Sequence, residues 1–236
     1  MIKRTKWLVA FLAILILFVL WAVTSFTGLP WKEKRVAGQL EAHLEEEYQQ
    51  DFELKTSYFN FKDGRYGGVF YPKKNPRMEF HADEGHGSYK YIDGYPEVVW
   101  AQQLKEDIKL DIERSFPHLQ LVHTAAVMHQ SMDTVKGTAV PHYSETDALL
   151  YAGIETKGAF TGSSEQWEAI TESVRTIQSK TAFTDIGFQF IETKRNAITH
   201  VSCPPKDTAA ITTIQQAQAQ CSSSGPYDLE TGQLVQ

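Results

Sequence analysis

Residues Trp7 to Phe26 form an uncharged, almost wholly apolar run, with Lys3, Arg4 and Lys6 before it and Lys32, Glu33, Lys34 and Arg35 after it. About 20 residues at roughly 1.5 Å rise each match a hydrocarbon core of about 30 Å. No other feature constrains the chain as strongly, because it decides where the rest of the 236 residues resides. Thirteen Leu, Ile, Val or Phe side chains between Leu8 and Phe26, at roughly 0.3–0.6 kcal/mol apiece, favour insertion by about 4–8 kcal/mol. A cleaved secretory signal has a shorter apolar core, about 7–15 residues, ending at a small-x-small site. The nearest site is Ser25-Phe26-Thr27, a poor one, and no Cys follows the core to accept a lipid. The run therefore predicts an uncleaved anchor over residues 7–27, bounded by Trp7, Phe26 and Trp31, with the bilayer as its partner.

Three Lys or Arg precede the span and three follow at once, so charge barely sets orientation. The usual form of a signal anchor, a six-residue cytosolic stub (residues 1–6) with an exported C-terminal body, is the expectation adopted: a single-pass cell-membrane protein. Removing Lys3, Arg4 and Lys6 from a net charge of −6 leaves −9 on the rest. Such a body repels nucleic acid and has no general hold on anionic lipid.

Beyond the anchor the patterns predict an α+β fold of two small modules with antiparallel sheets. In the first, residues 31–117, Pro30 opens a helix whose stripe is Val36, Leu40, Leu44 and Tyr48. Phe52, Leu54, Thr56 and Tyr58 alternate as a strand, and the change of parity at Phe59 and Phe61 predicts a bulge near Ser57. Asp63-Gly64 is a tight hairpin turn. A second strand runs to Tyr71, and a third carries Met78, Phe80 and Ala82. A polar loop from Asp83 to Asp93 leads to a helix opened by Pro96, striped by Trp100, Leu104, Ile108 and Ile112, and stopped at Phe116-Pro117.

The second module, residues 118–221, begins with strand-like alternation from Leu119 to His129, a turn near Gly137 and a strand from Ala148 to Thr156. Ser163-x-x-Gln166 reads as a capping box before a helix carrying Trp167, Ile170, Val174 and Ile177. Ile186, Phe188 and Phe190 alternate as a strand, Lys194-Arg195-Asn196 turns, and Ile198 to Ser202 returns. A weak helix is expected from Asp207 to Cys221, and residues 222–236 read as a disordered tail.

Several blocks carry a family likeness: Gly28-Leu29-Pro30-Trp31-Lys32 after the span, Tyr58-Phe59-Asn60-Phe61-Lys62-Asp63-Gly64-Arg65-Tyr66 on the hairpin, Tyr71-Pro72-Lys73 with Asn75-Pro76, and Asp93-Gly94-Tyr95-Pro96-Glu97 leading to Trp100. Over roughly residues 1–117 the chain resembles the YfjL-like proteins of Gram-positive bacteria. The resemblance implies a single span and an extracytoplasmic α+β body, and it brings no activity, substrate or catalytic residue.

The chemistry-bearing clusters are weak. His81, Asp83, Glu84 and His86 are the densest potential metal ligands, His81, Glu84 and His86 foremost, but no fixed spacing pre-positions them. A solvated loop is the favoured reading, and neither metal nor cofactor is implied. His123 and His129 are six residues apart on one strand, about 20 Å when extended, too far to share an ion. His142, Tyr143, Ser144, Glu145 and Asp147 hold the inventory for acyl transfer without a nucleophile elbow, and Gly153 with Gly158 lacks the lysine of a phosphate loop, since Ala159 follows. Tyr66, Tyr71, Tyr89, Tyr91 and Tyr95 could line a groove or simply cover a sheet. Cys203 and Cys221 favour a bridge in an oxidising exterior, but a straight helix up to Cys221 would hold their Cα atoms beyond the roughly 7 Å limit unless the chain turns back. The expectation is a non-enzymatic protein that meets a membrane or cell-wall partner. The alternative is a membrane-tethered hydrolase, with or without a metal.

Overall fold

The computed structural model describes residues 2–128, 139–180, 185–205 and 210–235. Its elements run α1 (Ile2–Thr27), α2 (Pro30–Tyr48), β1 (Phe52–Asn60), β2 (Arg65–Pro72), β3 (Phe80–Glu84), β4 (Tyr91–Asp93), α3 (Tyr95–Ser115), β5 (Leu119–Val127), β6 (Leu149–Lys157), α4 (Ser164–Lys180), β7 (Asp185–Glu192), β8 (Ala197–Cys203), α5 (Ile214–Gln220) and β9 (Ser222–Asp228). The class is α+β, with a first sheet in the order β1-β2-β3-β4 and a second in the order β5-β6-β7-β8-β9.

Helix α1 is long and apolar enough to cross a membrane. Its side chains from Phe11 to Phe26 stand largely exposed, and its polar groups turn inward onto their own backbone. Thr24 Oγ1 donates to the Leu20 carbonyl at 2.8 Å, and Ser25 Oγ to that of Trp21 at 2.8 Å. Hydroxyls bonded to the preceding turn are what a helix in an apolar surround requires. Of Trp7 only the helical backbone is described.

The chain divides into two compact units at Tyr95/Pro96, rather than near Pro117. The cause is α3, whose stripe of Trp100, Leu104, Ile108 and Ile112 is fully buried in the second core, beside Phe188 and Ile154. The helix that sequence assigned to the first module belongs, from Pro96 on, to the second.

In the first unit α2 lays Val36, Leu40, Leu44 and Tyr48 over an antiparallel sheet whose facing side carries Phe52, Phe70 and Phe80. The bulge falls at Lys55, between Leu54 and Thr56, two residues before the expected place. The supposed polar loop before α3 contains β4, paired with β3 through Ala82–Asp93 and Glu84–Tyr91. Three residues are too few for alternation to register.

The second sheet is mixed, not purely antiparallel: β6 and β7 are parallel neighbours, and α4 makes the crossover between them. A parallel pair needs such a connection. Its inward residues, from Val122 and Ala126 through Leu150, Ala152 and Ile154 to Phe188 and Val201, join the stripes of α3 and α4 in one core. At the start of α4, Ser163 Oγ accepts from the Gln166 N–H at 3.4 Å, while Gln166 Oε1 accepts from the N–H groups of Thr161 and Gly162, not from Ser163. The capping box is therefore half formed.

Two expectations for the C-terminus are corrected. Helix α5 starts at Ile214, where Thr213 and Gln216 make a full capping box that the sequence reading passed over, and Asp207 lies outside the described residues. The expected disordered tail at 222–236 is ordered over its described residues 222–235: Ser222–Asp228 is strand β9, paired with β8. Its Ser, Gly and Pro composition resembles a linker, yet its backbone groups complete the sheet. Because the short α5 lets the chain double back, Cys203 and Cys221 are joined, with Cα atoms 4.2 Å apart. His129 and the turn near Gly137 lie outside the described residues.

Candidate functional site

The metal-ligand candidates disperse. On the face of the first sheet away from α2, Tyr58 donates to Asp83 Oδ1 at 2.8 Å and lies 3.1 Å from His81 Nδ1. Burial, then the hydrogen bond and charge of Asp83, hold the Tyr58 phenol above the usual tyrosine range, so it stays a donor. Glu84 turns to the other face, where it accepts the Tyr66 N–H at 3.1 Å and lies 3.5 Å from Lys32 Nζ. Strand alternation separates the two sets, and His86 sits in the following turn. Among the described residues, no three His, Cys, Asp or Glu side chains gather as a metal site.

His142, Tyr143, Ser144 and Asp107 do converge. Ser144 Oγ is 2.8 Å from His142 Nδ1, His142 Nε2 is 3.7 Å from Asp107 Oδ2, and the Tyr143 hydroxyl donates to the same oxygen at 2.7 Å. Asp107, supplied by α3, was not among the candidates. The roles do not make a triad. The imidazole accepts the Ser144 N–H as the cap of a short 3-10 turn, the carboxylate is too long for a hydrogen bond, and Asp107 and His142 are each about 40% exposed in the side chain. Buried Tyr143 anchors the loop, with Gln103 Oε1 accepting its N–H at 3.1 Å and the Trp100 indole donating to the Pro141 carbonyl at 3.0 Å. Burial, then the hydrogen bond and charge of Asp107, raise the Tyr143 phenol above its ordinary range. This arrangement fastens a loop to α3. Glu145 and Asp147 stand exposed beside it.

The five tyrosines go to separate places. Tyr66 and Tyr95 are buried, Tyr95 against Tyr48, Phe52 and Phe80. Tyr91 lies against His43, Tyr71 pairs across from Glu53, and Tyr89 sits in the turn after β3, its N–H donating to the His86 carbonyl at 3.1 Å. No common groove results.

The second sheet offers a more coherent surface. Helices α3 and α4 both pack on the face of Val122, Ile154 and Phe188, so strand alternation turns the intervening residues to the opposite face. Register lines them up in rows. His123, Gly153, Gly187 and Ser202 form one, flanked by Ala125, Tyr151 and Asp185 on one side and by Leu121, Glu155, Gln189 and His200 on the other. His123 Nε2 lies 2.7 Å from Glu155 Oε1, and Ser202 donates to Asp185 at 3.0 Å. Adjacent glycines on central strands leave a bare strip of backbone. A Cβ on Gly187 would meet nothing within 4 Å, and one on Gly153 only His123 Cβ at 3.6 Å. Sequence reading weighed Gly153 for a phosphate loop and passed over Gly187. The usable signal was a glycine inside an alternating strand.

Two of the blocks that carried the family likeness, residues 28–32 and the hairpin, assemble into one joint. Gly28, at φ +70°, brings α1 onto the hairpin, where a Cβ would lie 2.7 Å from Phe59 and 2.9 Å from Tyr66. The Leu29 N–H donates to the Tyr66 hydroxyl at 2.7 Å, and Lys32 Nζ stands 4.5 Å over the Tyr66 ring.

Residues 3–81, about a third of the chain, match the family described as YfjL-like, N-terminal domain. The crystal structure of a DUF5037 family protein from Ruminococcus gnavus ATCC 29149 is similar over 68% of this chain and 76% of its own, at 14% identity and a TM-score of 0.43. No curated protein matches the chain.

Proposed function

We propose that this chain, YfjL-like in its N-terminal region, is a single-span membrane protein with its body outside the cytoplasm, and that the body is a non-enzymatic binding module whose ligand lies on the open face of the second sheet. The observation that carries this reading is the Gly153–Gly187 strip. A glycine inside a strand costs roughly 0.5–1 kcal/mol relative to alanine, and neither position lacks room for a side chain. Nothing in the packing asks for two of them side by side. An approaching ligand would.

The chemistry of the three rows narrows the ligand. Tyr151 offers an aromatic surface, and His123, Glu155, Gln189, Ser202 and His200 offer donors and acceptors. The rows hold no Lys or Arg, so a polyanion finds no counter-charge. An uncharged, hydrogen-bonding component of the cell wall fits, and for an exported body it is within reach. The test is co-sedimentation of the detergent-solubilised full chain with insoluble wall material. The wild type should pellet and Gly187→Val should stay in solution. Equal behaviour of the two would refute the assignment to this face.

A further inference from the structure

We propose that the tip of the β1–β2 hairpin is a second membrane contact, resting on the bilayer that α1 crosses; this builds on the single-span reading above. Phe61 opens the turn between β1 and β2, belongs to no core and is 55% exposed. Its ring centroid lies 6.0 Å from that of Phe26, the last large apolar residue of α1, itself 68% exposed. Trp31, at the start of α2, is 69% exposed. Each headgroup layer is about 5–7 Å deep, the difference between the full bilayer and its hydrocarbon core shared over two sides. A ring 6.0 Å from the end of the apolar run therefore stays within that layer.

The joint keeps it there. The Leu29–Tyr66 hydrogen bond, the Lys32 contacts to Tyr66 and Glu84, and the close approach of Gly28 to Phe59 tie the first five residues after α1 to both hairpin strands. The hairpin cannot swing away from the end of α1 without breaking them. Charge points the same way. The segment Phe61-Lys62-Asp63-Gly64-Arg65 is net positive by one, in a chain whose residues after the anchor sum strongly negative. A net positive tip is drawn to an anionic headgroup layer. An aromatic beside a lysine at the level of the headgroups is the usual composition of an interfacial anchor.

The two cysteines of the sequence are bonded to each other, so an introduced thiol can be labelled alone. A nitroxide is placed at Asp63→Cys in the full chain in vesicles of mixed zwitterionic and anionic lipid, with Lys74→Cys, exposed beyond the opposite end of β2, as the comparison. The label at 63 should be relaxed by oxygen more than by an aqueous nickel chelate, with the reverse at 74. Adding Phe61→Ser should raise nickel accessibility at 63 several-fold. Full aqueous exposure at 63, in protein that alkaline carbonate does not release, would overturn the tip contact and leave the span intact. Release by carbonate would overturn the span and this inference with it. Dipolar broadening between labels would assign the tip to a second copy of the chain and overturn the lipid contact.

Discussion

The two sheets use paired glycines in opposite ways. In the first, Gly67 and Gly68 of β2 are buried on both sides: a Cβ on Gly67 would lie 2.1 Å from Asp83 Oδ1 and 2.8 Å from Tyr58, and one on Gly68 would lie 2.7 Å from Leu54 Cδ1. In the second, Gly187 opens onto empty space. The first pair is explained by packing, because the Tyr58–Asp83 hydrogen bond lies across Gly67 and the Leu54 and Phe70 side chains close over Gly68. The second pair has no such internal reason. A glycine becomes a functional candidate when the fold would accept a side chain in its place.

The largest expected effect sharpens the contrast between the units themselves. The second is stapled by Cys203–Cys221, across a sequence separation of 18, and no cysteine lies in the first. Closing a loop of that size is worth about 3 kcal/mol in the chain-entropy model. Cys203→Ser with Cys221→Ser should accelerate hydrogen exchange in β7, β8 and β9 and leave β1 to β3 unchanged. Equal acceleration in both sheets would show that the units do not open independently.

Next is Gly67→Ala. Its methyl group must displace Asp83 or the Tyr58 ring, and overpacking of this kind costs about 1–3 kcal/mol. Thermal unfolding followed by exchange in β1 and β2 checks it. Full tolerance would mean that the Tyr58–Asp83 lid is not a fixed part of the sheet.

How much of this was legible in sequence follows from length and period. Long patterns were: the apolar run of α1 is one helix, and the stripes Val36 to Tyr48 and Trp100 to Ile112 fall where the periodicity put them. Short or polar elements were not. Strand β4 has three residues, and β9 (Ser222–Asp228) has no apolar alternation. A strand that contributes mainly backbone bonds leaves little trace in side-chain pattern. The unit boundary was misplaced because a stripe shows that a helix is buried without showing which sheet buries it. The candidate face was hidden for a related reason. Gly153 and Gly187 are 34 positions apart, and only the parallel register of β6 and β7 makes them neighbours.

The same alanine change at Gly187 should have the opposite sign to that at Gly67. With no neighbour within 4 Å, Gly187→Ala recovers roughly 0.5–1 kcal/mol of backbone entropy, and β-branched Gly187→Val should gain at least as much. Both variants should melt higher than wild type while losing wall binding, Val more completely. A destabilised Gly187→Ala would return this glycine to the class of Gly67.

The smallest effect concerns a carboxyl inside the first unit. Burial, the largest influence, pushes Asp93 above the ordinary carboxyl value of 3.8, against the opposing pull of the Tyr95 N–H and the Tyr48 hydroxyl. A raised folded-state value means that the native chain holds its proton more tightly than the unfolded one. The contribution to stability is therefore full below 3.8 and is lost as pH climbs through the raised value. Both hydrogen bonds end on one oxygen, Oδ1, at 3.0 Å each, and an asparagine carbonyl can accept both. Asp93→Asn should therefore leave the neutral-pH melting of the first unit unchanged or higher and flatten its dependence on pH in the acid range. The second sheet should not respond, since Asp93 belongs to the first unit. A marked loss of stability at neutral pH would mean that the ionised carboxylate, not its geometry, holds Tyr48 and Tyr95 together.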